Sequence, residues 1–237
     1  MSELAIEPWK GMNIEQELRQ LSSPEKAEVY ARFFKTGKGE YGEGDRFIGL
    51  TVPEQRQIAK KHVDAPLKAV QRLLDSRIHE FRLTGLLILV YKFERAGGRQ
   101  IVDFYLKNIH ASNNWDLIDC IADKILGRYL MDRDKSILYG FARSGNLWKR
   151  RIAIITTFHF IRNSRFDDTL RIAEILLHDR HDLIHKAVGW MLREIGKRDG
   201  KFLHKFLDKH HKQMPRTMLR YAVERFPKQK QRKYLGK

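Results

Sequence analysis

The sequence predicts an all-α protein, an α-solenoid of paired helices, on three observations. Apolar residues recur at three- and four-residue spacing through most of the chain, which is the period of a helix. Signals for β-strands are scarce. From Ala65 onward the pattern repeats: Arg82, Asp116, Arg151 and Lys186 fall in register at spacings of 34, 35 and 35 residues. Segments that share a period without sharing a motif indicate stacked helical hairpins of the HEAT-like kind.

Each element follows from local signals. Leu18 to Leu21 belong to a first helix. Pro24-Glu25 opens a second, with Ser23 as its cap and proline at the first helical position, where its missing N–H leaves no bond unmade. This helix runs through Val29, Tyr30, Phe33 and Phe34. The stretch Thr36 to Asp45 holds four glycines beside Lys38. No Gly-Lys-Ser/Thr leads from it into a helix, so a surface loop is expected instead of a phosphate-binding one. Thr51-Val52-Pro53-Glu54 starts a third helix with Thr51 as cap. The second helices of the later hairpins begin near His79, Asn114, Leu147 and Leu183. Each leads into an apolar run: Leu83 to Val90, Leu117 to Leu126, Ile152 to Phe160, Ala187 to Leu192. Helix breaks fall near Gly97-Gly98, Ser112-Asn113, Gly145-Asn146 and Arg180-His181-Asp182. The chain reads as one domain: N-terminal helices and glycine loop over 1–64, repeats over 65–200, and a C-terminal helical cap with a basic tail over 201–237. Second helices line the inner side of such a stack, so a concave basic groove is expected.

Charge narrows the partner. The chain has 46 Lys and Arg against 29 Asp and Glu, a formal charge of +17 and a pI near 10.0. A polyanion fits, and nucleic acid is the usual one, because each neutralised phosphate releases counterions. The longest apolar run, Leu86 to Val90, is far short of the ~20 residues that span a bilayer. The N-terminal Met1 to Glu7 lacks a basic region followed by an apolar one, so no secretory signal is expected. Cys120 is the single cysteine. It excludes an intramolecular disulfide and a cysteine zinc cluster, and a reducing cytoplasm fits. His79, His159, His181 and His185 do not have metal-ligand spacing beside a carboxylate. No apolar heptad suggests an interface, so a monomer is expected.

The most informative stretch is Asn114-Trp115-Asp116-Leu117-Ile118-Asp119. It puts a tryptophan and a carboxylate four residues apart, on one face of a helix. Aspartates on a phosphate-binding surface repel the ligand, so they face elsewhere or do chemistry. In register with Asp116 stand the cations Arg82, Arg151 and Lys186. Trp148 precedes Arg151 by three residues, Trp190 follows Lys186 by four, and Arg193 follows three later. Arginine grips phosphate with two hydrogen bonds, while an indole face attracts positive charge and packs against sugar or base. A carboxylate among them can stabilise a developing cation or orient water. Each residue also has a plainer role: the tryptophans as core, Asp116 as a first-turn acid favoured by the helix dipole, Asp119 and Asp123 in structural ion pairs.

At these residues the chain resembles the AlkD-type DNA alkylation repair glycosylases. The matching pieces are Trp-Asp-x-x-Asp at Trp115, Asp116 and Asp119, Trp-x-x-Arg at Trp148 and Arg151, and Lys-Ala-x-Gly-Trp-x-Leu-Arg-Glu from Lys186 to Glu194. Pro24 to Glu28 and Gly49 to Arg56 also look like the family's N-terminal part. The resemblance implies HEAT-like repeats and excision of cationic N3- and N7-alkylated purines from duplex DNA. It implies a monofunctional enzyme with no metal or other cofactor, and no flipping of the base into a pocket. By motif, Asp119 matches the catalytic acid. Trp115 and Trp190 match the aromatics against the lesion's deoxyribose, and Arg151 the arginine near the phosphate. Lys186 and Arg193 carry over as DNA-backbone contacts. Two features depart from the family: a longer glycine loop at 37–44, and Phe33 where some members have tyrosine. The competing expectation is a non-catalytic solenoid scaffold for nucleic acid or an acidic protein, with an RNA-binding repeat protein as a further one.

Overall fold

The computed structural model describes residues 13–236; Met1 to Glu7, read above for a leader, lies outside them. Among the described residues the architecture is all-α, without a strand, and an isolated bridge joins Arg46 to Ile78. No described helix is long and apolar enough to cross a membrane. The chain divides into two compact units, with the boundary between Tyr91 and Lys92.

The first unit contains α1 (Ile14–Gln20), α2 (Pro24–Phe33), α3 (Val52–Lys61), α4 (Leu67–Leu74) and the start of α5 (His79–Ala96). The expected caps are in place. Ser23 Oγ accepts the Lys26 N–H, and the Glu54 carboxylate accepts both the N–H and the hydroxyl of Thr51 at 2.7 Å. Residues 81–90 of α5 are all buried, which requires a helix apolar on every side; Leu83 to Val90 supply that, relieved only by Thr84 and Gly85. At its start α5 presents polar side chains that fasten the preceding loop. The buried Glu80 carboxylate accepts the N–H groups of Ile48, Gly49 and Leu50 at 2.8 to 3.3 Å. Gly49 has φ +86°, and a Cβ there would lie 2.1 Å from the Ser23 carbonyl oxygen, so only glycine fits. The end of the glycine-rich stretch is pinned as well. Asp45 bonds His79 Nδ1 at 3.1 Å and Arg82 Nη2 at 2.8 Å, beneath Phe34 and Phe47 stacked 5.1 Å apart.

The second unit completes α5 and continues with α6 (Arg99–Lys107), α7 (Trp115–Asp119), α8 (Arg128–Leu130), α9 (Ser136–Ala142), α10 (Leu147–Thr156), α11 (Phe158–Arg162), α12 (Asp167–Ile175), α13 (Asp182–Arg198), α14 (Gly200–His210), α15 (Arg216–Val223) and α16 (Lys228–Leu235). The helix starts expected near His79, Asn114, Leu147 and Leu183 agree with α5, α7, α10 and α13. Polar residues cap the last three: Asn114 accepts the Trp115 N–H, Asn146 those of Trp148 and Lys149, and His181 Nδ1 that of Leu183. α13 packs closely on α15. Gly189 makes that possible, since a Cβ there would lie 2.4 Å from the Met218 carbonyl oxygen and 2.5 Å from Tyr221 Cβ.

Two expectations are refined. The run Leu117 to Leu126 is not one helix: α7 ends after five residues, a turn follows at Cys120-Ile121, and Asp123–Gly127 forms a π-helical turn. Lys124 Nζ donates to the Cys120 carbonyl at 2.6 Å, satisfying a group left over by the break. The final basic run is not a tail but the helix α16.

Candidate functional site

The three motif-bearing helices of the second unit are joined by one guanidinium. Arg151 on α10 donates to both carboxylate oxygens of Asp119 on α7, Nε to Oδ1 at 2.9 Å and Nη2 to Oδ2 at 2.7 Å. Its Nη1 donates to the Leu183 carbonyl on α13 at 2.5 Å. Such a two-point pair fixes the carboxylate in orientation as well as position. Arg151 is buried, whereas the Asp119 side chain keeps 17% of its surface exposed, so the acid has an edge facing solvent. Burial pushes its pKa up; Arg151 opposes this, while Asp116 and Asp123 push the same way, and the net displacement is upward from the ordinary aspartate value.

Trp115 and Asp119 occupy the first and last positions of α7, one turn apart, and Trp115 is half-buried. Asp116 is buried, and so is Asp123, which is paired with Arg162 of α11. Trp148, at the start of α10, is half-buried. Trp190 on α13 is also half-buried and lies against Phe158 with ring centroids 5.6 Å apart. On the same ring, the Arg162 guanidinium sits 4.5 Å from the centroid. A line of contacts therefore runs from Asp123 through Arg162 and Phe158 to Trp190. The sequence reading missed Phe158 and Arg162. Their four-residue spacing on α11 was visible, but the link to Trp190 is a contact between distant segments.

Lys186 and Arg193 each face a carboxylate outside the Arg151–Asp119 pair. Lys186 Nζ is 2.6 Å from Asp182 one turn earlier. Arg193 pairs with Glu224, the residue that follows α15, and its Nε lies 3.8 Å from Glu194. Both therefore compete with a carboxylate for any phosphate. Among the described residues, no group of three His, Cys, Asp or Glu is arranged to hold a metal ion.

The arrangement is an oriented, partly solvent-facing carboxylate on the same short helix turn as an indole. Fixed negative charge placed where positive charge develops stabilises a transition state without reorganising. Comparison with known proteins bears on the family and the fold. The family described as DNA alkylation repair enzyme matches residues 14–226. Among solved structures, one described as a predicted DNA alkylation repair enzyme from Enterococcus faecalis matches with a TM-score of 0.69, covering 87% of this chain and 97% of that one. At 16% identity it is the fold that is shared. No curated protein matches the sequence.

Proposed function

The chain belongs to the DNA alkylation repair enzyme family, and on that premise we propose that it is a monofunctional glycosylase that hydrolyses the N-glycosidic bond of cationic N3- and N7-alkylated purines in duplex DNA. It works as a monomer, without a cofactor and without flipping the base into a pocket. Breaking the bond leaves its electron pair on the alkylated base, which becomes neutral. The departing base therefore needs no proton. The sugar gains positive charge, and the ionised Asp119 stabilises it, orients the water that adds at the same carbon, and takes the proton that water gives up. Trp115 and Trp190 hold the lesion's deoxyribose, and their π-faces suit a cation. Arg151 uses three of its five N–H groups on Asp119 and Leu183. It thereby aims the carboxylate and keeps two donors for the phosphate beside the lesion. Lys186 and Arg193 reach the backbone by exchanging a carboxylate for a phosphate.

The observation that carries this reading is Asp119 itself: a half-buried acid, oriented by an arginine yet open to solvent, in a chain of charge +17. The test is base release from methylated duplex DNA by the wild type and by Asp119→Asn. Alkylated purines released by the wild type and not by the variant are expected. Duplex binding without release by both proteins would leave the basic scaffold reading in its place.

A further inference from the structure

Cations in the second unit fall into two groups. Around the Asp119 cluster they are matched by acids: Arg151 by Asp119, Arg162 by Asp123, Lys186 by Asp182, Arg150 by Asp179 and Arg193 by Glu224. This suits a site that must accept a cationic lesion, since an unmatched arginine beside it would repel the substrate. It also leaves few cations there free to neutralise phosphate. The C-terminal helices carry an excess of cations, although Lys209 pairs with Glu174 and Lys233 with Asp208. Residues 209–237 hold ten Lys and Arg against the single acid Glu224, a net +9 out of the chain's +17. Glu224 is already engaged by Arg193.

The geometry holds these charges out to solvent on a rigid base. α16 is docked by its inner side. Tyr234 is buried, and its hydroxyl donates to Asp208 Oδ1 at 2.9 Å and lies 2.9 Å from His204 Nδ1. Gln231 Nε2 donates to the Phe226 carbonyl at 2.8 Å. With Gln231 and Tyr234 turned inward, Lys228 and Arg232 stand one turn apart along one flank and Lys230 along the other, all three exposed and, among the described residues, in no ion pair. Lys212 and Arg220, before and within α15, are likewise exposed and unpaired. α15 is in turn locked against α13, the helix of Trp190, by the close approach at Gly189.

We propose that α15 and α16 form an anchor for the phosphate backbone of duplex DNA that acts independently of the lesion, with Lys228, Lys230 and Arg232 as its principal contacts. It rests on the DNA-repair reading of the chain but not on base release. Held in register with α13, the anchor binds undamaged duplex while the matched charges of the Asp119 cluster contribute little to non-specific affinity.

The test compares the wild type with the triple variant K228Q/K230Q/R232Q, and with a control triple variant K38Q/K68Q/K107Q that removes as many exposed cations elsewhere. Binding of an undamaged duplex is measured across a salt series, alongside single-turnover base release from methylated duplex at saturating protein. The C-terminal variant should bind undamaged duplex at least about tenfold more weakly, with a slope of log affinity against log salt shallower by about 2–3. Its release rate at saturation should equal that of the wild type, and the control should keep most of the wild-type slope. An unchanged slope in the C-terminal variant, or an equal loss in the control, overturns the anchor. A loss confined to single-stranded RNA, with duplex binding intact, overturns it in favour of an RNA surface. A wild type that releases no base but shows the expected slopes leaves the anchor standing and defeats the glycosylase reading alone.

Discussion

Arg82 and Arg151 stand in register in the repeat of 34 to 35 residues, and each is buried against an aspartate, yet the two pairs have different surroundings. Arg82 meets Asp45 at 2.8 Å, with His79 on the other carboxylate oxygen and the Ser76 carbonyl on Nη1. Asp45 keeps only 4% of its side-chain surface. Every strong partner of that carboxylate is protein, and its work is to hold the end of the glycine-rich stretch to α5. Asp119 also has an arginine partner, Arg151, but no histidine bonded to it, and keeps 17%. An Arg–Asp pair is thus a fastening where it is sealed and an aimed charge where one edge is open.

That contrast is tested most strongly by removing each acid's charge. Asp119→Asn should lower base release by about 10²–10³-fold, the usual loss for one preorganised electrostatic contact, as read from single-turnover rates. Asp45→Asn should leave the rate per folded molecule unchanged. It removes the buried negative charge that Arg82 and His79 face and should cost about 3–5 kcal/mol of stability in denaturant titrations. If Asp45→Asn slowed release in fully folded protein, the division of labour would collapse. Exchanging the arginines gives smaller effects. Arg151→Lys loses the two-point grip, so release should fall roughly tenfold, with less change in stability than in rate. Arg82→Lys should cost about 1–3 kcal/mol of stability at constant rate, because the buried Asp45 keeps a cation but loses geometry.

The pH dependence is the smallest effect and separates chemistry from folding. In the proposed mechanism release needs the ionised Asp119, so the rate should fall on acidification through a pKa above the ordinary aspartate value, the direction that burial imposes. Stability runs the other way. Between the ordinary and the raised pKa the folded protein holds a proton that the unfolded chain releases, so ionising Asp119 lowers stability as pH rises through that window. Asp119→Asn should abolish this contribution. An acidic limb unaffected by the substitution would assign the titration to another group.

Much of this was legible in the sequence because its causes are local. Ser23, Asn114 and Asn146 mark helix starts through their own side chains, and the repeat of 34 to 35 residues exposed the shared position of Arg82 and Arg151. Pairings were less legible. Asp119 bonds an arginine 32 residues away and Asp45 one 37 away, and nothing near either aspartate says which of the many cations it meets. Asp45 also lies at the end of a glycine-rich stretch that resembles ordinary loop, so its burial had no local signal. The π-helical turn was hidden too, since Leu117 to Leu126 carries a regular apolar pattern and the departure is decided by packing. Gly127 is its one trace. A Cβ there would lie 2.6 Å from both the Thr156 carbonyl oxygen and His159 Cβ.

The break after α7 makes the site a matter of counting. In an unbroken α-helix Asp119 and Asp123 would sit one above the other and contend for one partner. The turn and the wider π coil send the first to Arg151 on α10 and the second to Arg162 on α11. The arrangement therefore depends on chain length as much as on residue identity. Deleting one residue between Cys120 and Asp123 would keep every named side chain of the site, yet take the carboxylates out of phase with their guanidiniums. On the proposed glycosylase reading, that one-residue deletion should lower base release with Asp119 still present, a loss set by spacing and not by chemistry.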